Sequence, residues 1–544
     1  MYQCDHFFLQ NLIIKIKIVI LRFKISLFLI MKKSLYVPFI GVAACSAFAG
    51  CHSGKEKPRQ PNIVFILADD VGYGDLSCYG ATRVQTPNVD RLAASGVRFI
   101  NAHSAASTST PSRYALLTGQ FPFRRDDTGI AAGNAPSIIK PEQRTIQAML
   151  QTAGYTTAAV GKWHLGIGED TNQHWNEYIA PGPKELGFDY SYIMAATGDR
   201  VPCVFLENQH IVNLDPSDPV EVSYLEPFAG EPLGSDHPEL LTKLHPSHGH
   251  DMAIVNGISR IGYMKGGKQA LWVDEFIADS ITSKAVAFIE RSKDKPFFLY
   301  FGTNDIHVPR WPHPQFVGKS GMGPRGDAIL QFDWSVGQVL DALERNGLTE
   351  NTLIIITSDN GPVVDDGYQD RAVELLGNHK PWGPLRGGKY SSFEAGARVP
   401  FIVSWAGGGV AKGKVSPALV SHLDFFASMA ALTGQTLADD AAPDSFDQLN
   451  VWLGKESKNR EYTVEQSLES LSIIEGDWKY IEPVKRDNPF MSNVSIETGF
   501  ITQPQLYYLK DDIGERNNIA ADHPDKVEKL AALINKVKNS PKTR

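Results

Sequence analysis

Five short apolar runs, separated by segments of helical period and mostly ending in an ionisable side chain, constrain this chain more than any other feature. They cover residues 63–68, 156–160, 297–301, 353–357 and 400–404. Strands that are apolar without alternation belong to a sheet buried on both faces. Between them, residues 88–96 behind a Thr-Pro start, 145–152 and 331–346 carry apolar positions at helical spacing. Strand–helix alternation of this kind predicts an α/β fold: a large doubly wound, mainly parallel sheet with helices on both faces. Such sheets bind ligands beyond the carboxyl ends of their strands. Asp69-Asp70 follow the first run, Lys162-Trp163-His164 the second, His307 the third and Asp359-Asn360 the fourth.

The pattern changes from about residue 443. Short, polar-flanked strands are expected at 462–465, 471–475, 478–481 and 505–509, with a helix over 524–537. These predict a small C-terminal antiparallel sheet packed with one helix, giving a catalytic α/β domain over 61–442 and a subdomain over 443–544. The N-terminal residues are expected to lie outside both. Residues 1–30 are apolar but interrupted by Lys15, Lys17, Arg22 and Lys24. Each charge at a bilayer centre costs about 2.5–3.5 kcal/mol, so the stretch is a poor membrane span and reads as an artefactual extension. Met31-Lys32-Lys33 opens a signal peptide over 31–50, and Phe48-Ala49-Gly50-Cys51 resembles a bacterial lipobox cleaved before Cys51. Ordinary cleavage after Ala49 is the alternative. Residues 51–60 would be a tether, making this an exported bacterial lipoprotein of the periplasm or cell surface, held to the membrane only by lipid on Cys51.

Of five cysteines, only Cys78 and Cys203 remain beyond that leader, so at most one disulfide is possible and the core must stabilise the fold. No CxxC or Cys/His zinc spacing is present. A net charge of −8 without a basic stripe argues against nucleic acid as a partner, while leaving room for a locally positive pocket.

Adjacent buried carboxylates repel, and a cation between them relieves the repulsion. Asp69-Asp70 and Asp359-Asn360, at two strand ends facing one crevice, offer oxygen ligands that favour calcium or magnesium over zinc. Lys162 and His164, at i and i+2 on extended backbone, share a face. Lys389 lies in Leu385-Arg386-Gly387-Gly388-Lys389, where the glycines are expected to let backbone approach a ligand and the lysine to supply charge for an oxyanion. The histidine-rich segment 245–251 reads as a polar loop lining the pocket rather than a transition-metal site. Gly198-Asp199-Arg200 offers either a grip on vicinal sugar hydroxyls or a surface ion pair.

The stretch Ser109-Thr110-Pro111-Ser112-Arg113, running on to Thr118-Gly119, resembles the Cys/Ser-x-Pro-x-Arg signature of type I sulfatases in the alkaline phosphatase superfamily. Gly161–Gly166 looks like the family's GKWHLG. Asp69-Asp70 lie in a stretch similar to ADDxGxGD, and Ser358–Gly361 is similar to SDNG. Residues 385–400 resemble LRGGKxxxxEGGxRVP, with Ala395 for a usual glycine. The family's PHxP becomes Ile306-His307-Val308-Pro309, and residues 506–518 resemble its terminal LYDLxxDPxExxN. The resemblance implies that Ser109 is oxidised by a radical maturase to formylglycine (3-oxoalanine), the nucleophile as its hydrate. It further implies calcium held by Asp69, Asp70, Ser109, Asp359 and Asn360. Arg113, Lys162 and Lys389 would neutralise developing charge, His307 would be the general acid and His164 the base. The pattern is closest to bacterial carbohydrate sulfatases acting on sulfated galactose or N-acetylgalactosamine of a glycan, with 6-O-sulfate favoured over 4-O, and Asp199 and Arg200 binding substrate. The competing readings are a phosphatase or phosphodiesterase of the same superfamily using Ser109 directly, and a non-catalytic glycan-binding lipoprotein.

Overall fold

A computed structural model describes residues 60–544. The expected extension 1–30, the expected signal peptide 31–50 and the expected tether up to residue 59 lie outside the described residues. Among the described residues no helix is long and apolar enough to cross a membrane.

At the centre is β1 (Asn62–Ala68), buried along its whole length. Nine further strands join it: β2 (Val97–Phe99), β3 (Thr156–Lys162), β4 (Tyr190–Met194), β5 (Phe205–Glu207), β6 (His210–Ile211), β7 (Phe297–Gly302), β8 (Thr352–Ser358), β9 (Phe401–Ser404) and β10 (Lys414–Ser416). Their order is β10-β2-β9-β8-β1-β7-β3-β4-β5-β6. The five central strands β8, β1, β7, β3 and β4 are parallel, as expected for β8, β1, β7 and β3 from their continuous apolar runs; β4 is not among those runs. The 400–404 run departs from a parallel reading, because β9 pairs antiparallel to β8. Its chain has already crossed the carboxyl edge of the sheet with Lys389 and must run back. Lys389 therefore precedes its strand, whereas the other site residues follow theirs.

Helices cover both faces. α1 (Pro87–Ser95), α4 (Ile277–Ser292) and α5 (Gly323–Arg345) pack together in one layer, and α2 (Ser109–Thr118), α3 (Ile146–Thr152) and α7 (Phe425–Thr433) in the other. The short helix α6 (Glu394–Ala397) lies between Lys389 and β9. Glycine is required at two crossings near the site. Gly161 has φ +97°, and a Cβ there would come within 1.9 Å of Gly302 O; at Gly361 it would meet Ala395 O at 1.6 Å.

The C-terminal sheet orders as β11 (Tyr462–Gln466), β12 (Leu471–Glu475), β13 (Trp478–Ile481) and β14 (Gln505–Tyr508), all antiparallel. Helix α8 (Pro524–Asn539) lays Leu530, Ile534 and Val537 onto it, at i, i+4 and i+7. Each such side chain contributes about 1.5–3 kcal/mol when fully buried. The same apolar cluster includes Ala105, Ala115, Phe121 and Leu423, so the small sheet packs against the helix that begins at Ser109. Beside it lies a buried charge cluster: Lys479 Nζ is 2.9 Å from Glu394, 3.4 Å from Glu515 and 3.6 Å from Glu465. Burial pushes the Glu515 carboxyl up to about 8, against the pull of Lys479. Cys78 and Cys203 are both free thiols.

Candidate active site

The sheet register brings the chemistry together. Ala68 pairs with Ser358, and Asp359 N donates to Ala68 O at 3.1 Å, so Asp69-Asp70 and Asp359-Asn360 leave adjacent strands side by side. Gly302 pairs with Gly161 one strand further on, delivering Lys162, His164 and His307 to the same edge. Helix α2 starts at this edge with Ser109 as its first residue, so its amide end faces the site, an arrangement that favours negative charge.

Ser109 is 3 % exposed. Its Oγ accepts from Lys162 Nζ at 3.0 Å and donates to Asn360 Oδ1 at 3.3 Å. Lys162 Nζ also lies 2.6 Å from Asp69 Oδ1. Arg113, fully buried one helical turn after Ser109, forks its Nε and Nη2 onto Asp359 Oδ2 at 3.1 and 2.8 Å. Its Nη1 donates to Lys162 O and to Tyr300 Oη, at 3.1 and 3.2 Å. Asn360 Nδ2 donates to Asp70 Oδ1 at 2.7 Å, and Lys389 Nζ reaches Asp70 Oδ2 at 2.9 Å.

Burial pushes the Asp69 carboxyl well up; Lys162 pulls it back, and the neighbouring Asp359 and Asp70 raise it again. Asp359 is as deeply buried, yet Arg113 and then Lys162 outweigh burial and hold it low. Burial pulls the Lys162 ammonium down despite Asp69. Asp69 Oδ2 is buried with no hydrogen-bond partner. Ligand atoms of Asp69, Asp70 and His307 lie within 4.8 Å of one another. An unpartnered buried carboxylate oxygen among crowded carboxylates fits a hard divalent cation, which prefers oxygen ligands.

The two histidines differ in which nitrogen is available. His164 Nε2 lies 3.0 Å from Ala131 O and must carry the proton; Nδ1 is buried without a partner and keeps its lone pair. Burial, then Lys162, hold this imidazole well below its ordinary pKa. His307 Nδ1 lies 2.8 Å from Val308 O, which leaves Nε2 facing Asp70 Oδ2 at 3.8 Å. Burial and Lys389 push it down to about 4.

The pocket above Ser109 is a cavity of about 50 Å³ whose lining includes His164, Asp199, Arg200, His250, His307 and Lys389. Asp199 is buried on its wall and pairs at 2.9 Å with Arg200, which is partly exposed. Burial alone would raise Asp199; Arg200, His307 and His250 reverse this and hold it well below the carboxylate range. Of the histidine-rich loop, His250 enters the pocket and bonds Asp199 Oδ2 at 2.9 Å, whereas His245 is exposed. The expectation for Gly387 and Gly388 needs correction. A Cβ at Gly387 would meet Ser391 Oγ at 2.3 Å, and one at Gly388 would meet Pro362 O at 2.6 Å. These glycines admit the protein's own chain.

Two pocket residues carried no readable signal. Asp366 lies in a polar insertion after β8, one of several acidic residues there, and Tyr390 looks like a spacer in its motif. Both line the pocket.

The alkaline phosphatase-like sheet and this edge are shared with sulfuric ester hydrolases. Residues 61–435 match the family model described as Sulfatase, and the chain belongs to that family. It is 53% identical over 500 residues to an N-acetylgalactosamine-6-O-sulfatase of Bacteroides thetaiotaomicron, covering 90% of this chain and 96% of that one. It is 32% identical over 415 residues to human arylsulfatase A, covering 74% and 69%. A solved structure from work on the metabolism of multiple glycosaminoglycans by B. thetaiotaomicron superposes with TM-score 0.87 at 53% identity, covering 89% and 100%. The PsFucS1 sulfatase from Pseudoalteromonas, at 24% identity, TM-score 0.65 and coverage of 89% and 92%, shares the fold.

Proposed function

We propose that the protein removes 6-O-sulfate from N-acetylgalactosamine or galactose residues of a sulfated glycan, with calcium and with residue 109 converted to formylglycine. The placement of Ser109 Oγ carries the reaction: it accepts from Lys162 Nζ at 3.0 Å and donates to Asn360 Oδ1 at 3.3 Å, with no histidine among the described residues bonded to it. A serine so placed lacks a base to activate it, which disfavours direct attack by Ser109. The likeness to the N-acetylgalactosamine-6-O-sulfatase supports the sugar and the sulfate position.

Asp69, Asp70, Asp359, Asn360 and residue 109 would hold calcium, which supplies a Lewis acid for a sulfuryl oxygen. Formylglycine supplies, as its hydrate, a hydroxyl for attack and a second whose deprotonation releases sulfate. Lys162 orients residue 109, and with Lys389 places positive charge where the sulfuryl oxygens gain negative charge. Arg113, locked by its fork on Asp359, adds charge beneath the nucleophile. His164 accepts a proton at its free Nδ1. A bound sulfate adds negative charge beside His307 and favours its imidazolium; Nε2 then donates to the leaving oxygen, assisted by Lys389. Asp199 and Arg200 bind the sugar. We also propose that a radical maturase oxidises Ser109 and that lipid on Cys51 anchors the exported protein.

Mass spectrometry of the tryptic peptide containing residue 109, from the native host, tests the cofactor. A loss of about 2 Da, the two hydrogens removed on oxidising serine to an aldehyde, is expected; unmodified serine in active protein overturns it. Sulfate release from 6-, 4- and 3-sulfated galactose and N-acetylgalactosamine tests the substrate, and preference for a 4- or 3-sulfate overturns the 6-O reading. Membrane fractionation of the wild type against Cys51→Ser checks the anchor, which is overturned if both partition alike.

A further inference from the structure

Lys389 Nζ is held from two sides, by Asp70 Oδ2 at 2.9 Å and by Asp366 Oδ2 at 2.8 Å. An ammonium has three donors, so one N–H remains for the pocket. The two acidic partners are not equivalent. Asp70 stands among the proposed oxygen ligands of the cation, so its carboxylate would be shared between the cation and the lysine. Asp366 lies outside that group and has no competing claim.

The other oxygen of Asp366 holds the next residue. Tyr390 Oη donates to Asp366 Oδ1 at 2.9 Å. Tyr390 has φ +77°, in the left-handed region, which costs a bulky side chain about 1–3 kcal/mol and persists only where the surroundings enforce it. Its backbone N–H donates to Ser107 O at 2.9 Å, two residues before Ser109. One carboxylate therefore pins two consecutive residues of a strained turn that touches the nucleophile segment.

The segment bearing Asp366 is braced on both sides. Ser247 donates through N to Gly367 O at 2.9 Å and through Oγ to Asp365 Oδ1 at 2.8 Å. Arg310 Nη1 donates to Val364 O and to Asp370 Oδ2, both at 2.8 Å. Ser247 belongs to the loop that delivers His250 to Asp199, so the sugar wall and the sulfate end share this segment.

We propose that Asp366 is a positioning residue for the reaction, holding Lys389 Nζ at the sulfate end of the pocket independently of Asp70. This rests on the role given above to Lys389. The test is a double-mutant cycle in the matured, calcium-loaded enzyme: wild type, Asp366→Asn, Lys389→Ala and the double variant. kcat and KM are measured on 6-sulfated N-acetylgalactosamine and on an aryl sulfate. Misplacing a catalytic group by about 1 Å costs on the order of 100-fold, so Asp366→Asn is expected to lower kcat by roughly 10- to 100-fold with little change in KM. The double variant is expected to be no slower than Lys389→Ala alone, because neighbours acting through one group are non-additive. Tyr390→Phe, which removes one hydroxyl and leaves the carboxylate, is expected to give a smaller loss that likewise vanishes in the Lys389→Ala background. The residue-109 peptide mass, measured in every variant, separates a positioning effect from incomplete maturation. Multiplicative losses, or wild-type kcat in Asp366→Asn, overturn the proposal. Activity on the aryl sulfate without activity on the sugar overturns the substrate reading instead, and the cycle on the aryl sulfate still decides the role of Asp366.

Discussion

If calcium binds as proposed, replacing Asp69 by Asn should abolish most of the stabilisation that calcium gives. Asp69 Oδ2 is buried without a protein partner, while Oδ1 is occupied by Lys162 at 2.6 Å. The substitution removes one of the negative charges that face the cation and keeps the shape of the side chain. A ligand that binds only the folded protein stabilises it by RT ln(1 + [L]/Kd), about 2.7 kcal/mol at 100 times Kd. If losing this charge weakens calcium 100-fold, as even indirect metal-site changes can, the same calcium concentration yields about 0.4 kcal/mol. The assay is thermal unfolding of both proteins at that calcium concentration and again with a chelator in excess. Wild type should melt higher with calcium, and Asp69→Asn should melt nearly alike in both. A calcium-dependent shift in Asp69→Asn equal to that of wild type would refute the assignment of Asp69 to the cation, whatever happened to activity.

Lys162→Met should lower kcat by about 10²–10³, the range seen when one preorganised donor is removed, with a smaller effect on KM; steady-state kinetics on a sulfated sugar checks this, and a change confined to KM contradicts it. His250 gives a pH signature. Burial alone would lower its pKa, but Asp199 raises it above the ordinary value. A base whose folded pKa is raised stabilises fully below its unfolded pKa, about 6.5, and loses that contribution as pH rises through the folded value. The stability deficit of His250→Gln should therefore be largest in mild acid and shrink in alkali; a deficit that grows with pH is the wrong sign. Lys479→Met strips the central cation from Glu394, Glu465 and Glu515, and breaking a buried pair costs about 3–5 kcal/mol. Chemical denaturation should show that loss, and an unchanged midpoint would mean the cluster is not what holds the small sheet.

Much of the site was legible because strand ends announce themselves. Asp69-Asp70, Lys162, His307 and Asp359-Asn360 each follow an apolar run whose burial is required by its composition, and parallel strands must place such residues at one edge. The order of the strands was not legible, because an apolar run does not say which run lies beside it. The antiparallel turn of β9 was not legible, since an apolar run reads the same in either direction; only the position of the preceding Lys389 segment reverses it.

Asp366, Tyr390 and His250 mark the boundary between the two kinds of information. Each sits in an irregular loop with no periodicity to aim its side chain, and each gains its role from a residue far away in the chain: Asp366 and Tyr390 from each other across Lys389, His250 from Asp199. The fate of the glycines at 387 and 388 was likewise settled by Pro362 and Ser391, which close over them. The sequence by itself determined which strands are buried and which chemical groups stand at their ends, because burial pattern and residue type are local properties, and its motifs carried the resemblance to sulfatases that implied the class of reaction. Only the tertiary structure decided which nitrogen of His164 is free, which carboxylate oxygen lacks a partner and which acid steadies Lys389, because those depend on distances of a few tenths of an ångström between segments separated by tens to hundreds of residues.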